Sequence, residues 1–177
     1  MELKIINGDL FTNASEAILL NIDGDGKTEG MEGRLARKFR ETSPELWEEV
    51  LKFRPEVIGL GNIFTYRPSD EKPSKYKAVI IAATHNHLDD LSEKERQDVA
   101  YTAFKKALQS TIKYSIKSLA TPLLVGGWRL GIGPAFMAMT QAIEEIKGDP
   151  DLEICIYVYD EKDYLKTMGF ANAFGWL

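Results

Sequence analysis

The sequence predicts an α/β fold in which a largely parallel sheet is covered by helices on both faces. Short apolar runs alternate along the 177 residues with segments that carry apolar residues at helical spacing. The runs at 17–21 (AILLN) and 78–84 (AVIIAAT) are apolar enough to be buried on both faces of a sheet. Such alternation of strands and helices is typical of a parallel sheet between two helical layers.

Six strands are predicted in chain order. They cover residues 3–6, 17–21, 63–66, 78–84, 119–124 and 154–159. Helices are predicted at 31–40, after the Ser43-Pro44 pair, from Ser92 to about Ile116, and from Pro134 to Gly148. Ser92 and Glu95 match a capping box, and proline is favoured in the first turn of a helix. The apolar stripes of these helices are interpreted as core, and the apolar C-terminal tail, 164–177, is expected to dock on the domain or on a partner.

Length, charge and cysteine content narrow the class of protein. We expect residues 1–177 to form a single domain, since domains commonly span about 100–200 residues. The net charge of -5 argues against a protein that reads nucleic acid through a basic face. The single Cys155 excludes a disulfide framework and is interpreted as a buried small apolar residue. Without a membrane-length apolar run or a signal peptide, the expected location is the cytoplasm, with no membrane partner.

Two glycine-rich loops, each between a predicted strand and a predicted helix, carry the functional signal. They cover residues 23–33 (DGDGKTEGMEG) and 125–133 (VGGWRLGIG). Glycine lets backbone N–H groups approach a ligand closely, and a helix N-terminus favours anions. Ligands of open α/β sheets bind beyond the carboxyl ends of the strands. A turn alone explains either loop, but two such loops predict a site that holds a diphosphate through backbone amides.

Other anion and ion sites compete for the first loop. Gly26-Lys27-Thr28 after an apolar strand partly matches a phosphate-binding P-loop, but Asn21 stands where that pattern needs glycine. Asp23-Gly24-Asp25 partly matches phosphatases that use an aspartate nucleophile, but Lys27 interrupts the pattern. Lys27 and Arg34 occupy ligand positions of a calcium loop and exclude one. A P-loop nucleotide-binding protein remains an alternative.

The order of several segments resembles the macrodomain family over nearly the whole chain. Residues 7–10 (NGDL) resemble its opening Gly-Asp-Ile signature, and 31–45 (MEGRLARKFRETSPE) are similar, without gaps, to the helix that ends in Phe-Lys-Glu-x-x-Pro-Glu. Residues 82–87 (AATHNH) and 118–134 (SLATPLLVGGWRLGIGP) resemble the branch that removes ADP-ribose from nucleic acid or acidic side chains. The resemblance implies a three-layer sandwich with a mixed sheet, and ADP-ribose or a close relative as ligand.

The resemblance also implies a set of ligand-binding residues. The Asp9 carboxylate would accept a hydrogen bond from the adenine amino group, with the Leu10 N–H beside it. Tyr159 or Asp160, after the last strand, would border the adenine. The diphosphate and the distal ribose would be cradled by the two loops, through Gly30, Met31, Gly33, Gly126, Gly127 and Trp128.

Three positions depart from the family pattern. Asp23 replaces a ribose-facing asparagine, and Arg129 aligns with an aspartate of the second loop. Arg40, still a candidate ligand contact, aligns with a lysine that acts as nucleophile or electrostatic partner. Arginine stays protonated and cannot form a Schiff base. Glu32 and His87 match an aspartate and a histidine of other members, so a carboxylate and a base remain.

Two classes of function follow from the resemblance. One is a module that binds ADP-ribose or a related nucleotide with weakened or lost catalysis, which the departures favour. The other is a hydrolase of ADP-ribosylated protein or nucleic acid, with Glu32, Asp23 and His87 as candidate catalytic residues. Nucleic acid is expected only as a modified substrate. No cofactor or metal is expected, because His85 and His87 lack a third ligand and are interpreted as exposed loop histidines. A pocket closed by Trp128 is a third alternative.

Overall fold

A computed structural model describes residues 1–23, 33–71, 74–86, 88–126, 129–146 and 151–177. Within these residues one sheet has six strands, in the spatial order β1-β6-β5-β2-β4-β3. The strands are β1 (Glu2–Asn7), β2 (Ala17–Asp23), β3 (Ile63–Tyr66), β4 (Ala78–His85), β5 (Ser118–Pro122) and β6 (Glu153–Val158). Every neighbouring pair is parallel except β3 and β4, so the sheet is mixed.

Helices cover both faces of the sheet, as predicted. On one face lie α1 (Arg34–Thr42) and α2 (Pro44–Phe53). The other face carries α3 (Glu93–Lys113), α4 (Ile132–Glu145) and α5 (Glu161–Ala173). A short 3-10 helix, Leu10–Thr12, follows β1.

The side chains of β2 alternate between the two layers. Ile18 and Leu20 belong to the cluster around Phe39 of α1, whereas Leu19 belongs to the cluster around Phe104 of α3. All five are fully buried. Burial of one such side chain contributes about 1.5–3 kcal/mol, and this two-sided burial explains why the strand is apolar almost throughout.

The boundaries of some elements differ from the prediction for local reasons. The strand β5 ends at Pro122, and the chain turns directly afterwards through a bond from the Val125 N–H to the Leu123 carbonyl, 2.9 Å. The capping box of Ser92 and Glu95 is confirmed at the start of α3. That helix ends at Lys113 because Ser115 has a positive φ of 54°.

The C-terminal segment is largely helical. Residues within the predicted apolar tail form most of α5, which Asp160 caps by accepting a bond from the Asp163 N–H, 3.0 Å. Beyond α5, Trp176 packs partly buried against the α3/α4 side of the core. The buried position of Cys155 in β6 is confirmed. In the part of the chain that the structure covers, no helix has the length and apolar character for a bilayer crossing.

Candidate functional site

Five parallel strands end at one edge of the sheet, which we call the carboxyl edge. The strands are β1, β2, β4, β5 and β6. Asp9 follows β1, Asp23 ends β2, and Tyr159 follows β6. The loop with Gly126 follows β5. Residues predicted for the site from segments far apart in sequence therefore lie along the same edge.

Asp9 combines a structural bond with an available carboxylate oxygen. It is the N-cap of the 3-10 helix, and its Oδ1 accepts a bond from the Phe11 N–H, 2.9 Å. Its Oδ2 makes no hydrogen bond within the described part of the chain, and the side chain of Leu10 is buried beside it. The Gly8 N–H donates to the Val158 carbonyl, 3.1 Å, which fixes this turn to the end of β6. The cap thus orients a carboxylate that keeps one oxygen for a ligand.

Tyr159 presents an aromatic ring at the end of β6. The residue is 70% exposed, and the guanidinium carbon of Arg34 lies 5.4 Å from the ring centroid. Asp160 uses its carboxylate to cap α5. Of the two residues expected to border adenine, Tyr159 therefore offers the open stacking surface. Arg34 was not predicted as part of this end of the site.

Asp23 and His85 are opposite each other at the ends of β2 and β4. The register of these strands shifts after Ile22, so that Asp23 pairs with His85. Asp23 is buried, with 8% of the residue exposed. His85 is the last residue of β4 and only partly exposed, so its interpretation as an exposed loop histidine was wrong. Its Nδ1 is buried and has no hydrogen-bond partner among the residues that the structure describes.

The environment of His85 keeps the imidazole neutral. Burial lowers the pKa of His85 below its ordinary 6.5, because the charged form loses hydration. The Asp23 and Asp89 carboxylates oppose this decrease, whereas Arg129 and Arg96 reinforce it. At pH 7 the ring is therefore in its basic form.

The second glycine loop lies against the end of β4. Gly126 has a φ of +55°, and a Cβ at this position would be 3.3 Å from the Thr84 carbonyl oxygen. Arg129 donates from Nη1 to the Asn86 carbonyl, 2.8 Å, and pairs with Asp89 at 3.3 Å. The loop is thus fixed to the connection between β4 and α3. Arg129, which aligns with an aspartate of the family, is here a cation that holds two loops together.

Asp89 pairs with both Arg129 and Arg96, and it therefore joins the second loop to α3. Its side chain is 5% exposed, pairs with Arg96 at 2.7 Å and accepts a bond from the Asn86 N–H, 2.8 Å. Burial alone would raise the pKa of Asp89, but the bonds from Asn86 and Arg96 outweigh it and hold that pKa below 3.8. Sequence reasoning missed Asp89, for which the only signal was the short Asn86–Asp89 spacing typical of an Asx turn.

Gly33 and Arg40 both lie on or beside α1, but at different distances from the carboxyl edge. Gly33 is the N-cap of the helix. Arg40 is exposed in its last turn, about 9 Å along the axis from Arg34. Its role as a ligand contact stays a prediction. Six further predicted residues lie outside the described ranges, namely Gly30, Met31, Glu32, His87, Gly127 and Trp128. Among the described residues, no three His, Cys, Asp or Glu side chains are grouped to hold a metal ion.

The fold is that of macrodomains of known structure, which confirms the predicted architecture. The macrodomain of Thermus aquaticus DarG matches with a TM-score of 0.69 and 19% identity, over 88% of this chain and 97% of that one. An Oceanobacillus iheyensis macrodomain with MES bound matches with a TM-score of 0.79 and 14% identity, over 97% and 91%. A Trypanosoma brucei macrodomain in complex with ADP matches with a TM-score of 0.74 and 14% identity, over 96% and 69%. No protein-family model matches the sequence, and no curated protein matches it either.

Proposed function

We propose that this protein, a chain with the macrodomain fold, binds ADP-ribose or a closely related nucleotide at its carboxyl edge. The observation that carries the proposal is the alignment of Asp9, Tyr159 and Gly126 along one edge, from three different strands. Asp9 supplies an acceptor for an adenine amino group, and the exposed ring of Tyr159 supplies a stacking surface. The ADP in the Trypanosoma brucei complex supports a ligand of this class.

The helix ends at this edge support binding of the diphosphate. The N-caps of α1 and α4 are Gly33 and Gly131, and neither makes a side-chain cap bond. By contrast, Ser92 and Asp160 cap α3 and α5 with their side chains. The first-turn N–H groups of a helix need a partner, and an anion satisfies them well. Ser43, the N-cap of α2, makes no side-chain cap bond either, but α2 follows α1 directly and not a strand. The helices after the two glycine loops thus combine an uncapped start with a position after a strand end, which suits phosphate oxygens despite a net charge of -5.

Catalysis in this protein is proposed to be slow. Arg40 cannot attack as a nucleophile, because a guanidinium stays protonated. Asp23 offers only acceptor oxygens where the family pattern has an amide. The partners are free ADP-ribose or an ADP-ribosylated macromolecule, in which nucleic acid takes part only as a modified substrate.

An active ADP-ribosyl hydrolase is the alternative, and one observation favours it. The neutral imidazole of His85 lies beside the buried carboxylate of Asp23. A positioned base of this kind typically contributes about 10²–10⁴-fold to a hydrolysis rate.

Calorimetric titration distinguishes these functions from a P-loop nucleotide-binding protein. The titrants are ADP-ribose, ADP, and ATP with magnesium. We expect the tightest binding for ADP-ribose, because only this ligand places a second ribose between the two glycine loops. Tighter binding of ATP with magnesium, or no binding of ADP-ribose, would contradict the proposal.

A further inference from the structure

The strand β4 ends with two buried polar groups that have no hydrogen-bond partner in the described ranges of the chain. Thr84 Oγ1 and His85 Nδ1 are buried, and neither makes a hydrogen bond within the described structure. A buried polar atom without a partner costs about 1–3 kcal/mol, and such atoms are rare in folded proteins. Two of them in succession therefore mark a position where a ligand or a bound water supplies the missing bonds.

Several segments meet at His85. The buried Asp23 faces it from β2, across the shifted register. From the second loop, Gly126 packs closely against the end of β4, because a Cβ there would lie 3.3 Å from the Thr84 carbonyl oxygen and 4.0 Å from the His85 Cβ. The position is at the carboxyl edge, where ligands of α/β sheets bind. A group bound beyond the ends of β2 and β4 would thus lie next to His85.

The charges around His85 come from each neighbouring segment. Asp23 belongs to β2, Arg129 to the second loop, Asp89 to the connection after β4, and Arg96 to α3. The two carboxylates raise the pKa of His85 and the two guanidinium groups lower it. Burial has the largest effect, and the pKa is therefore lowered. Among the charges that act on His85, Asp23 has the largest effect and pairs with it across the strands, so it is placed to stabilise an imidazolium that forms during a reaction.

We propose that His85 is the general base of this site and that Asp23 stabilises its protonated form. The proposal rests on the proposed binding of an ADP-ribosyl group at the carboxyl edge, and it deepens the hydrolase alternative rather than the binding function alone. His85 removes a proton from water while the water oxygen forms a bond to the anomeric carbon of the distal ribose. The bond from that carbon to the acceptor breaks, and the acceptor leaves with the electron pair. His85 then returns the proton to the acceptor or to solvent.

This assignment differs from the one made on sequence, where Glu32, Asp23 and His87 were the candidate catalytic residues and His85 was not among them. His85 has what a base needs, which is a neutral ring, a neighbouring carboxylate and a nitrogen that no described residue hydrogen-bonds. Because the Nδ1 of His85 makes no hydrogen bond to the described residues, replacement of this residue removes none at that atom. The variant His85→Gln should therefore fold, and its thermal midpoint checks that it does.

The test is release of ADP-ribose under single-turnover conditions by wild type, His85→Gln, His87→Gln and Asp23→Asn. The substrates are a mono-ADP-ribosylated glutamate peptide and ADP-ribosylated single-stranded DNA, over pH 5–8. We expect His85→Gln to lower release by about 10²–10⁴-fold, with an ADP-ribose affinity close to wild type. The wild-type rate should fall on the acid side with a pKa below 6.5. In Asp23→Asn this decrease of the rate should move to lower pH, because the Asp23 carboxylate raises the pKa of His85 in the wild type.

Several outcomes overturn the assignment. Equal release by wild type and His85→Gln would do so, as would a larger loss in His87→Gln. Absence of release from both substrates, with ADP-ribose still bound, would overturn the base but leave the binding function in place. Absence of ADP-ribose binding in the wild type would remove both. If the rate of release falls at the same acid pH in Asp23→Asn as in wild type, Asp23 does not stabilise the protonated form of His85.

Discussion

Arg34 lies over the ring of Tyr159, with its guanidinium carbon 5.4 Å from the ring centroid, and so joins the start of α1 to the end of β6. The helix α1 follows β2, and β5 lies between β2 and β6 in the sheet, so the contact joins elements that are not neighbours. The contact therefore spans the carboxyl edge above β5. An exposed cation–π pair contributes only about 0.5–1 kcal/mol, so a base that stacks on Tyr159 can replace it.

The variant Tyr159→Ala should weaken ADP-ribose binding by about 1–3 kcal/mol, the usual contribution of a base stacked on an aromatic ring. Tyr159→Phe keeps the stacking surface and is the matched control, for which we expect an affinity near that of wild type. Calorimetry measures both. Equal losses in the two variants would indicate that the hydroxyl group, and not the ring, contacts the ligand.

Asp9→Ala should weaken ADP-ribose binding by about 1.5–3 kcal/mol, the range for a hydrogen bond to a charged group. Asp9→Asn isolates this contribution, because asparagine also caps helices but its amide carries a donor toward the adenine amino group. Both variants should bind less tightly, while only the alanine variant loses the bond to Phe11. The check is titration with inosine diphosphate ribose, which lacks the amino group. If wild type binds it as tightly as ADP-ribose, Asp9 does not read the adenine.

Asp89→Ala should lower the free energy of unfolding by about 3 kcal/mol or more, because it leaves Arg96 buried without its partner. The exposed pair of Lys94 and Asp98 on the same helix is the control, and Asp98→Ala should cost less than about 0.5 kcal/mol. Urea denaturation at pH 7 compares the two. The folded pKa of Asp89 is depressed, so its contribution is present above pH 3.8 and lost as the pH falls through the folded value. The difference between wild type and Asp89→Ala should shrink as the pH falls below 3.8, and a difference that does not change with pH would contradict this linkage.

Gly126→Ala should destabilise the protein by about 1–3 kcal/mol and weaken ligand binding as well. An alanine at a φ of +55° is strained, and its Cβ would press on the Thr84 carbonyl oxygen at 3.3 Å. Gly169→Ala is the control, since this glycine is within α5 and a Cβ there meets nothing within 4 Å. We expect it to stabilise the protein by about 0.5–1 kcal/mol. Thermal denaturation gives both values, and a Gly126→Ala variant as stable as wild type would show that this loop tolerates a side chain.

The parts of the fold that could be predicted are those that leave a pattern in the local sequence, such as an apolar run or a helix cap. The apolar runs of β2 and β4 and the capping box at Ser92 are examples. The helix α5 was not predicted, because its surface carries apolar side chains such as Leu165, which is 62% exposed, and this obscures the helical pattern. Likewise, no local signal shows that β3 runs antiparallel to β4.

The site divides in the same way. Asp9 and Tyr159 directly follow predicted strands, so their positions at the carboxyl edge could be expected from topology. The pairing of Arg129 with Asp89 joins residues far apart in the chain, which only the folded structure brings together. The pairing of Asp23 with His85 depends on a one-residue shift between β2 and β4, and such a shift leaves no mark in the composition of either strand.

The pairing of β1 with β6 has a consequence for the order of assembly. Glu2 to Asn7 are in register with Glu153 to Val158, so the first strand finds its neighbour only when the last strand is available. Loop closure over such a separation is slow compared with local pairing. During synthesis from the N-terminus, β1 would remain unpaired while β2 and β4 pair with each other. The pocket end that contains Asp9 and Tyr159 would then be the last to form, and nucleotide affinity would report completion of folding.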